Sequence, residues 1–153
     1  MKKKFKRGII GIGVQKGGTT FTHALLSEQI NTKSLLKEFN FFSSSDYAKG
    51  INWYLDRYLQ DNIILDFSPS YFTSTDARNR ISNFATDYEK VPFIIVICLR
   101  NPIDRAISNI KHELMRGRLR EDNILNWKIN RWILENSSYR VHIKKWLDLK
   151  IPT

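Results

Sequence analysis

The sequence predicts an α/β fold in which helices cover both faces of a central parallel sheet, and three observations carry this. Three runs are almost purely apolar: "GIIGIGV" at 8–14, "NIILD" at 62–66 and "PFIIVICL" at 92–99. Unbroken apolar runs mark strands buried on both faces. The stretches between them carry helical patterns long enough for crossover connections, and no repeat, low-complexity segment or Pro/Gly-rich linker divides the chain.

The elements follow in order. "MKKKFKR", 1–7, is a basic tip, and 8–14 is the first strand. A helix is expected over 19–30, then a loop containing "EFNFF", then a helix near 46–59. The strand 62–66 is followed by a helix over 74–87 and by the strand 92–99. Helices close the chain at 102–116, 123–135 and 137–149. Pro102 suits a first helical position, with Asn101 as its cap. Trp53, Tyr54, Tyr58, Trp127, Trp132, Tyr139 and Trp146 recur near helical spacing and are expected in the core or in groove walls.

With 153 residues, 42% of them hydrophobic, the chain has the length and composition of one folded domain. A formal net charge of +10 favours an anionic partner. No nucleic-acid-binding module is recognisable, so nucleic acid is not expected. The one cysteine, Cys98, is expected as a buried core thiol, and it cannot form an internal disulfide. No apolar run approaches the ~18 residues of a membrane span, and the tip with its short glycine-containing apolar run does not make a signal peptide. A cytoplasmic location is expected from these features. The histidines His23, His112 and His142 are scattered, and no metal-ligand cluster is expected.

In open parallel sheets ligands bind at the carboxyl ends of the strands. That rule selects Gln15–Thr20, Asp66–Ser70 and Arg100–Arg105. At the first place, "GVQKGGTTF", Gly17 and Gly18 allow a tight turn with close backbone approach to an anion, and Thr19 or Thr20 can cap the next helix. The run resembles a phosphate-binding loop, G-x-x-x-x-G-K-[ST], except that Lys16 precedes the glycine pair. At the third place, Arg100 and Ser108, about two helical turns apart, suit a second phosphate. Asp66 stands where a magnesium ligand could stand. The plainer alternatives are a strand–turn–helix corner at 13–20 and an Arg100–Asp104 ion pair.

"GVQKGGTT", "KEFNFF", "INWYL", "LDFSPSYF", "LRNPIDRAISNI" and "SSYRVHIKKWL", in this order over roughly 8–149, resemble the sulfotransferase family, most closely its heparan sulfate N- and 3-O-sulfotransferase branch. The resemblance implies a three-layer, P-loop-like fold in a single domain over 1–153. It implies 3′-phosphoadenosine 5′-phosphosulfate (PAPS) as donor, with no metal, and sulfuryl transfer to a hydroxyl or amine of an acceptor such as a glycan. Lys16, Gly17, Gly18, Thr19 and Thr20 then match the loop around the 5′-phosphosulfate, Arg100 and Ser108 the pair holding the 3′-phosphate, and Glu38 the general base. A lysine at the turn suits this donor, because charge grows on the oxygen that links phosphate to sulfate. The bland reading of Glu38 is an ion pair with Lys37 or Lys33. Strand-like alternation in "EFNFF" would send Phe39 and Phe41 to one side and Glu38, Asn40 and Phe42 to the other.

The chain departs from the branch at Asn40, where a histidine is usual, and at Phe67, where a lysine is usual. It also ends before the strand and lysine-containing loop with which the family continues. Self-association is therefore expected of a three-stranded sheet with an open edge. The alternatives are a PAPS-binding module with little turnover and a P-loop kinase, against which the position of Lys16 argues; if Glu38 is not the base, another such as Asp66 is considered. The basic run "RGRLRE", 116–121, reads as a solvated face or as part of a groove for a polyanionic acceptor.

Overall fold

The computed structural model describes residues 4–30, 37–58, 62–124, 126–149 and 151. Lys33, the first three residues of the basic tip and the side chain of Trp127 lie outside what is described. The elements are β1 (Arg7–Gly13), α1 (Thr19–Gln29), α2 (Ile51–Leu55), β2 (Ile63–Phe67), α3 (Thr75–Asp87), β3 (Phe93–Ile97), α4 (Pro102–Met115), α5 (Trp127–Glu135) and α6 (Tyr139–Leu147). The strands form one parallel sheet in the order β2-β1-β3.

Side chains alternate across β1 as strand geometry requires. Ile10 and Ile12 join Ile64 and Phe93 in the larger core, which α2, α3 and α6 supply with Tyr54, Ile81, Phe84 and Trp146. Ile9 faces the other way, with Leu65 and Phe67, under Leu26 and Ile30 at the end of α1. Helices on both faces of a parallel sheet make the expected three-layer arrangement.

Glycines in β1 are filled by neighbouring rings. A Cβ on Gly11 would stand 2.3 Å from Cδ1 of Phe67, and one on Gly8 would stand 2.5 Å from Cδ1 of Phe93. Each flanking strand thus lays a phenylalanine over the middle one, and the glycines are packing positions.

Four expectations change. The helix near 46–59 is instead a 3₁₀ turn, Ser45–Lys49, followed by α2, because Gly50 between them has φ 84. The alternation in "EFNFF" fails: Asn40 is left-handed at φ 56 and opens a 3₁₀ turn, so Phe41 and Phe42 are both fully buried. Cys98 is half-buried, not a core thiol. The run 92–99 is not buried on both faces: β3 is an edge strand, and Ile94 is 46% exposed. Among the aromatic residues, Tyr54, Tyr58 and Trp146 are buried, whereas Trp132 is exposed.

Two measurements test this packing. Gly11→Ala forces a methyl into the ring of Phe67 and should lower stability by ~1–3 kcal/mol. A wild-type urea midpoint would contradict it. The second concerns Tyr54, Tyr58 and Tyr71. Burial, then the charge of Asp66, raises all three phenols above their ordinary values. A pKa raised on folding contributes stability that is complete below the unfolded value, about 10 for tyrosine, and is lost as pH rises past it. The denaturation midpoint should therefore decline above about pH 10, and Tyr58→Phe should flatten the decline. A midpoint indifferent to pH in that range would contradict it.

Candidate functional site

The site begins where β1 ends. The Gly17 N–H donates to the carbonyl of Val14 at 2.9 Å and closes a turn. A Cβ on Gly17 would lie 2.3 Å from the carbonyl oxygen of Cys98, so only glycine lets the loop press against the end of β3. Lys16 adopts φ 66 and Gly18 φ 99. Gly18, not a threonine, precedes the helix, and no side chain caps it; the expected Thr19 or Thr20 cap is absent because both residues already lie inside α1. The first N–H groups of a helix have no intrahelical acceptors, and its dipole favours an anion in front of them.

At the end of β3, Asn101 caps α4 as expected: its Oδ1 accepts from the N–H groups of Ile103 at 3.0 Å and Asp104 at 3.3 Å. The cap sets the entry of α4 and brings Ser108 back over the loop. Among the described residues Arg100 enters no ion pair, so its guanidinium is free for a ligand. The hydroxyl of Tyr139 fixes the Arg100 backbone by donating to its carbonyl at 2.9 Å.

The third contribution is the 37–42 segment. Glu38 has φ 60, and its N–H donates to the carbonyl of Phe67 at 2.9 Å. Its side chain is 54% exposed and forms the expected ion pair with Lys37. That pair and a place in the cleft coexist. The Asn40 N–H donates to Ser68 Oγ at 2.9 Å, and Ser70 Oγ donates to Asn40 Oδ1 at 2.6 Å.

These pieces enclose a cavity of about 290 Å³ lined by Gln15, Lys16, Gly18, Thr19, Thr20, Glu38, Pro69, Arg100 and Ser108. Of the residues that the resemblance assigns to donor binding or catalysis, all line it except Gly17, which lies against the Cys98 carbonyl. A second cavity, about 320 Å³, is lined by Gln15, Glu38, Asn40, Pro69, Ser70, Thr73 and Asn136. Gln15, Glu38 and Pro69 belong to both, so Glu38 stands on a shared wall. The first cavity sets two cations, Lys16 and Arg100, and three hydroxyls beside the carboxylate of Glu38, whereas hydroxyls and carboxamides dominate the second. A larger cavity, about 430 Å³, lies at the opposite end of the sheet beside Phe5 and Val91 and touches none of these groups.

Asp66 is in neither cavity. It is fully buried, and its carboxylate accepts from Ser68 Oγ at 2.7 Å, Tyr71 at 2.8 Å and Tyr54 at 3.1 Å. Burial raises its pKa, which the three hydroxyl donors partly offset. A carboxylate so enclosed faces no substrate or magnesium ion. Phe67 is likewise buried, with His23 edge-on to its ring at 5.6 Å. In the basic run, Arg118 and Arg120 are exposed; Arg120 faces the exposed Asp122, and Arg118 lies 3.8 Å from the buried carboxylate of Glu113. Among the described residues, no group of His, Cys, Asp or Glu is placed to hold a metal, and no helix is long and apolar enough to cross a membrane.

Sequence reasoning missed Thr73 and Asn136; Gln15, Pro69 and Ser70 lay within the selected strand-end places but were given no role there.

A model of the sulfotransferase domain matches residues 6–152. Heparan sulfate glucosamine 3-O-sulfotransferase 3A1 of Mus musculus is 34% identical over 117 residues, 74% of this chain and 28% of the relative. Heparan sulfate glucosamine 3-O-sulfotransferase 6 of Homo sapiens is 30% identical over 118 residues, 75% of this chain and 32% of the relative. Bifunctional heparan sulfate N-deacetylase/N-sulfotransferase 1 of Caenorhabditis elegans is 26% identical over 165 residues, 95% of this chain and 19% of the relative. The chain thus spans under a third of the length of these curated relatives. They overturn the expected cytoplasmic location, since heparan sulfate sulfotransferases work in the Golgi lumen; a lone cysteine and a missing apolar span do not define a compartment. With the phosphate-type loop, the Arg100–Ser108 pair and a family match over nearly its whole length, the chain belongs to the sulfotransferase domain family.

Proposed function

We propose that the chain carries the donor site and general base of an enzyme that moves a sulfuryl group from PAPS to a carbohydrate hydroxyl or amine. The observation that supports this most is the convergence of Lys16, Thr19, Thr20, Glu38, Arg100 and Ser108 on one cavity from separate parts of the chain. The 5′-phosphosulfate lies against the 15–20 loop and the amino end of α1. Arg100 and Ser108 grip the 3′-phosphate. The acceptor occupies the neighbouring cavity, whose lining of Asn40, Ser70, Thr73 and Asn136 suits a polyol. The names of the relatives, all heparan sulfate enzymes, support a glycan.

In the transfer, the acceptor oxygen or nitrogen forms a bond to sulfur while the bond from sulfur to the bridging phosphate oxygen breaks. Glu38 takes the acceptor's proton. Lys16 meets the negative charge that grows on the bridging oxygen, an interaction stronger in the transition state than before it.

Two experiments test this. Adenosine 3′,5′-bisphosphate should bind far more tightly than AMP, and Arg100→Ala should weaken the bisphosphate about 10- to 150-fold while barely affecting AMP. Equal calorimetric affinities for the two nucleotides in the wild type would overturn the 3′-phosphate site. In single-turnover assays with PAPS and a heparan-type oligosaccharide bearing free amines and hydroxyls, Glu38→Gln should keep donor affinity and lose ~10²–10⁴-fold in rate. Lys16→Ala should lose both. Wild-type transfer by Glu38→Gln overturns Glu38 as base, and donor binding without transfer by the wild type favours a binding module of the same fold.

A further inference from the structure

Three N–H groups fix the segment that carries Glu38, and two of them lead to one buried carboxylate. Ser68 spends its proton on Asp66 Oδ1 at 2.7 Å, which leaves its oxygen to accept from the N–H of Asn40 at 2.9 Å. Tyr71 likewise donates to Asp66 Oδ2 at 2.8 Å and accepts from the N–H of Phe42 at 3.3 Å. The third N–H, that of Glu38, goes to the carbonyl of Phe67, the residue after Asp66. Tyr54 also donates to Oδ2, at 3.1 Å; its ring packs on Phe39, Phe41 and Phe42, which a phenylalanine would keep, but its hydroxyl accepts no N–H of the segment.

A hydroxyl has one proton and two lone pairs. If Asp66 did not take the protons of Ser68 and Tyr71, each hydroxyl could turn its proton toward the segment, where the N–H groups need an acceptor. The carboxylate therefore sets the direction of both relays. The held segment is also one that resists its shape, since Glu38 and Asn40 are both left-handed.

We propose that Asp66 is a positioning residue for Glu38, acting through Ser68 and Tyr71 to hold the 38–42 segment so that the carboxylate stays on the wall between the two cavities. This rests on Glu38 being the base. Asp66 touches neither cavity, so its effect is on transfer and not on donor binding.

The test compares Asp66→Asn, Ser68→Ala, Ser68→Thr, Tyr71→Phe and Tyr54→Phe in the full chain. Three quantities are read: hydrogen exchange of the 38–42 amides, affinity for adenosine 3′,5′-bisphosphate, and single-turnover transfer from PAPS. Asp66→Asn, Ser68→Ala and Tyr71→Phe should speed exchange in the segment, leave bisphosphate affinity within about twofold, and slow transfer by up to ~10²-fold, the scale of a small misplacement. Ser68→Thr, which keeps the hydroxyl, should restore both exchange and rate. Tyr54→Phe removes an equally buried donor from the same carboxylate and should change neither, a contrast that a general loss of stability would erase. Unchanged exchange in the Ser68→Ala protein, or equal losses for Tyr54→Phe and Tyr71→Phe, overturns the positioning role. Wild-type transfer by Glu38→Gln overturns the base instead, and the exchange data still decide whether Asp66 anchors the segment.

Discussion

The site depends on how closely three strands can approach at their carboxyl ends. β1 runs between β2 and β3, and each neighbour lays a phenylalanine over one of its glycines. The chain then turns, and Gly17 sits against the carbonyl of Cys98, with no room for a side chain. Because this contact is between backbones, it fixes the loop relative to β3 more firmly than side-chain packing would. Arg100 stands two residues beyond that carbonyl, so the same contact sets the spacing between the 15–18 loop and Arg100.

A second constraint comes from below the sheet ends. A buried carboxylate without water must find hydrogen-bond donors inside the protein. Asp66 finds three hydroxyls, and two of them belong to the short run that follows β2. The result joins the aromatic core under α2 and α3 to the rim of the cleft. Core and site are separate regions in the sequence, but here they are linked by a few hydrogen bonds.

The sheet, its parallel sense and the helices were legible because each strand is a short unbroken apolar run and the stretches between the runs carry helical patterns. That Lys16, Thr19, Thr20, Arg100 and Ser108 meet at one cavity was legible because each group is local in sequence: the first three lie in one run after β1, and Arg100 and Ser108 flank the Asn101 cap of α4. Glu38 was read by resemblance, and its surroundings were not legible, because they depend on contacts across about 30 residues, such as Asn40 with Ser70. The alternation rule failed at Phe42 because Asn40 is left-handed and the segment is not a strand. Ile94 and Cys98 were expected to be more buried because an apolar run does not say whether both faces of its strand are covered; β2 and β3 are both edge strands, yet only β2 is buried along most of its length.

Together with Gln15 and Pro69, Glu38 lines both cavities. A ligand in only one of them dries the carboxylate from one side and leaves the other open to water. Full desolvation, which strengthens any electrostatic contact there, needs both spaces filled. In such a layout, with Glu38 as the proposed base, the chain need not close over its ligands: the second ligand to arrive acts as the lid for the first.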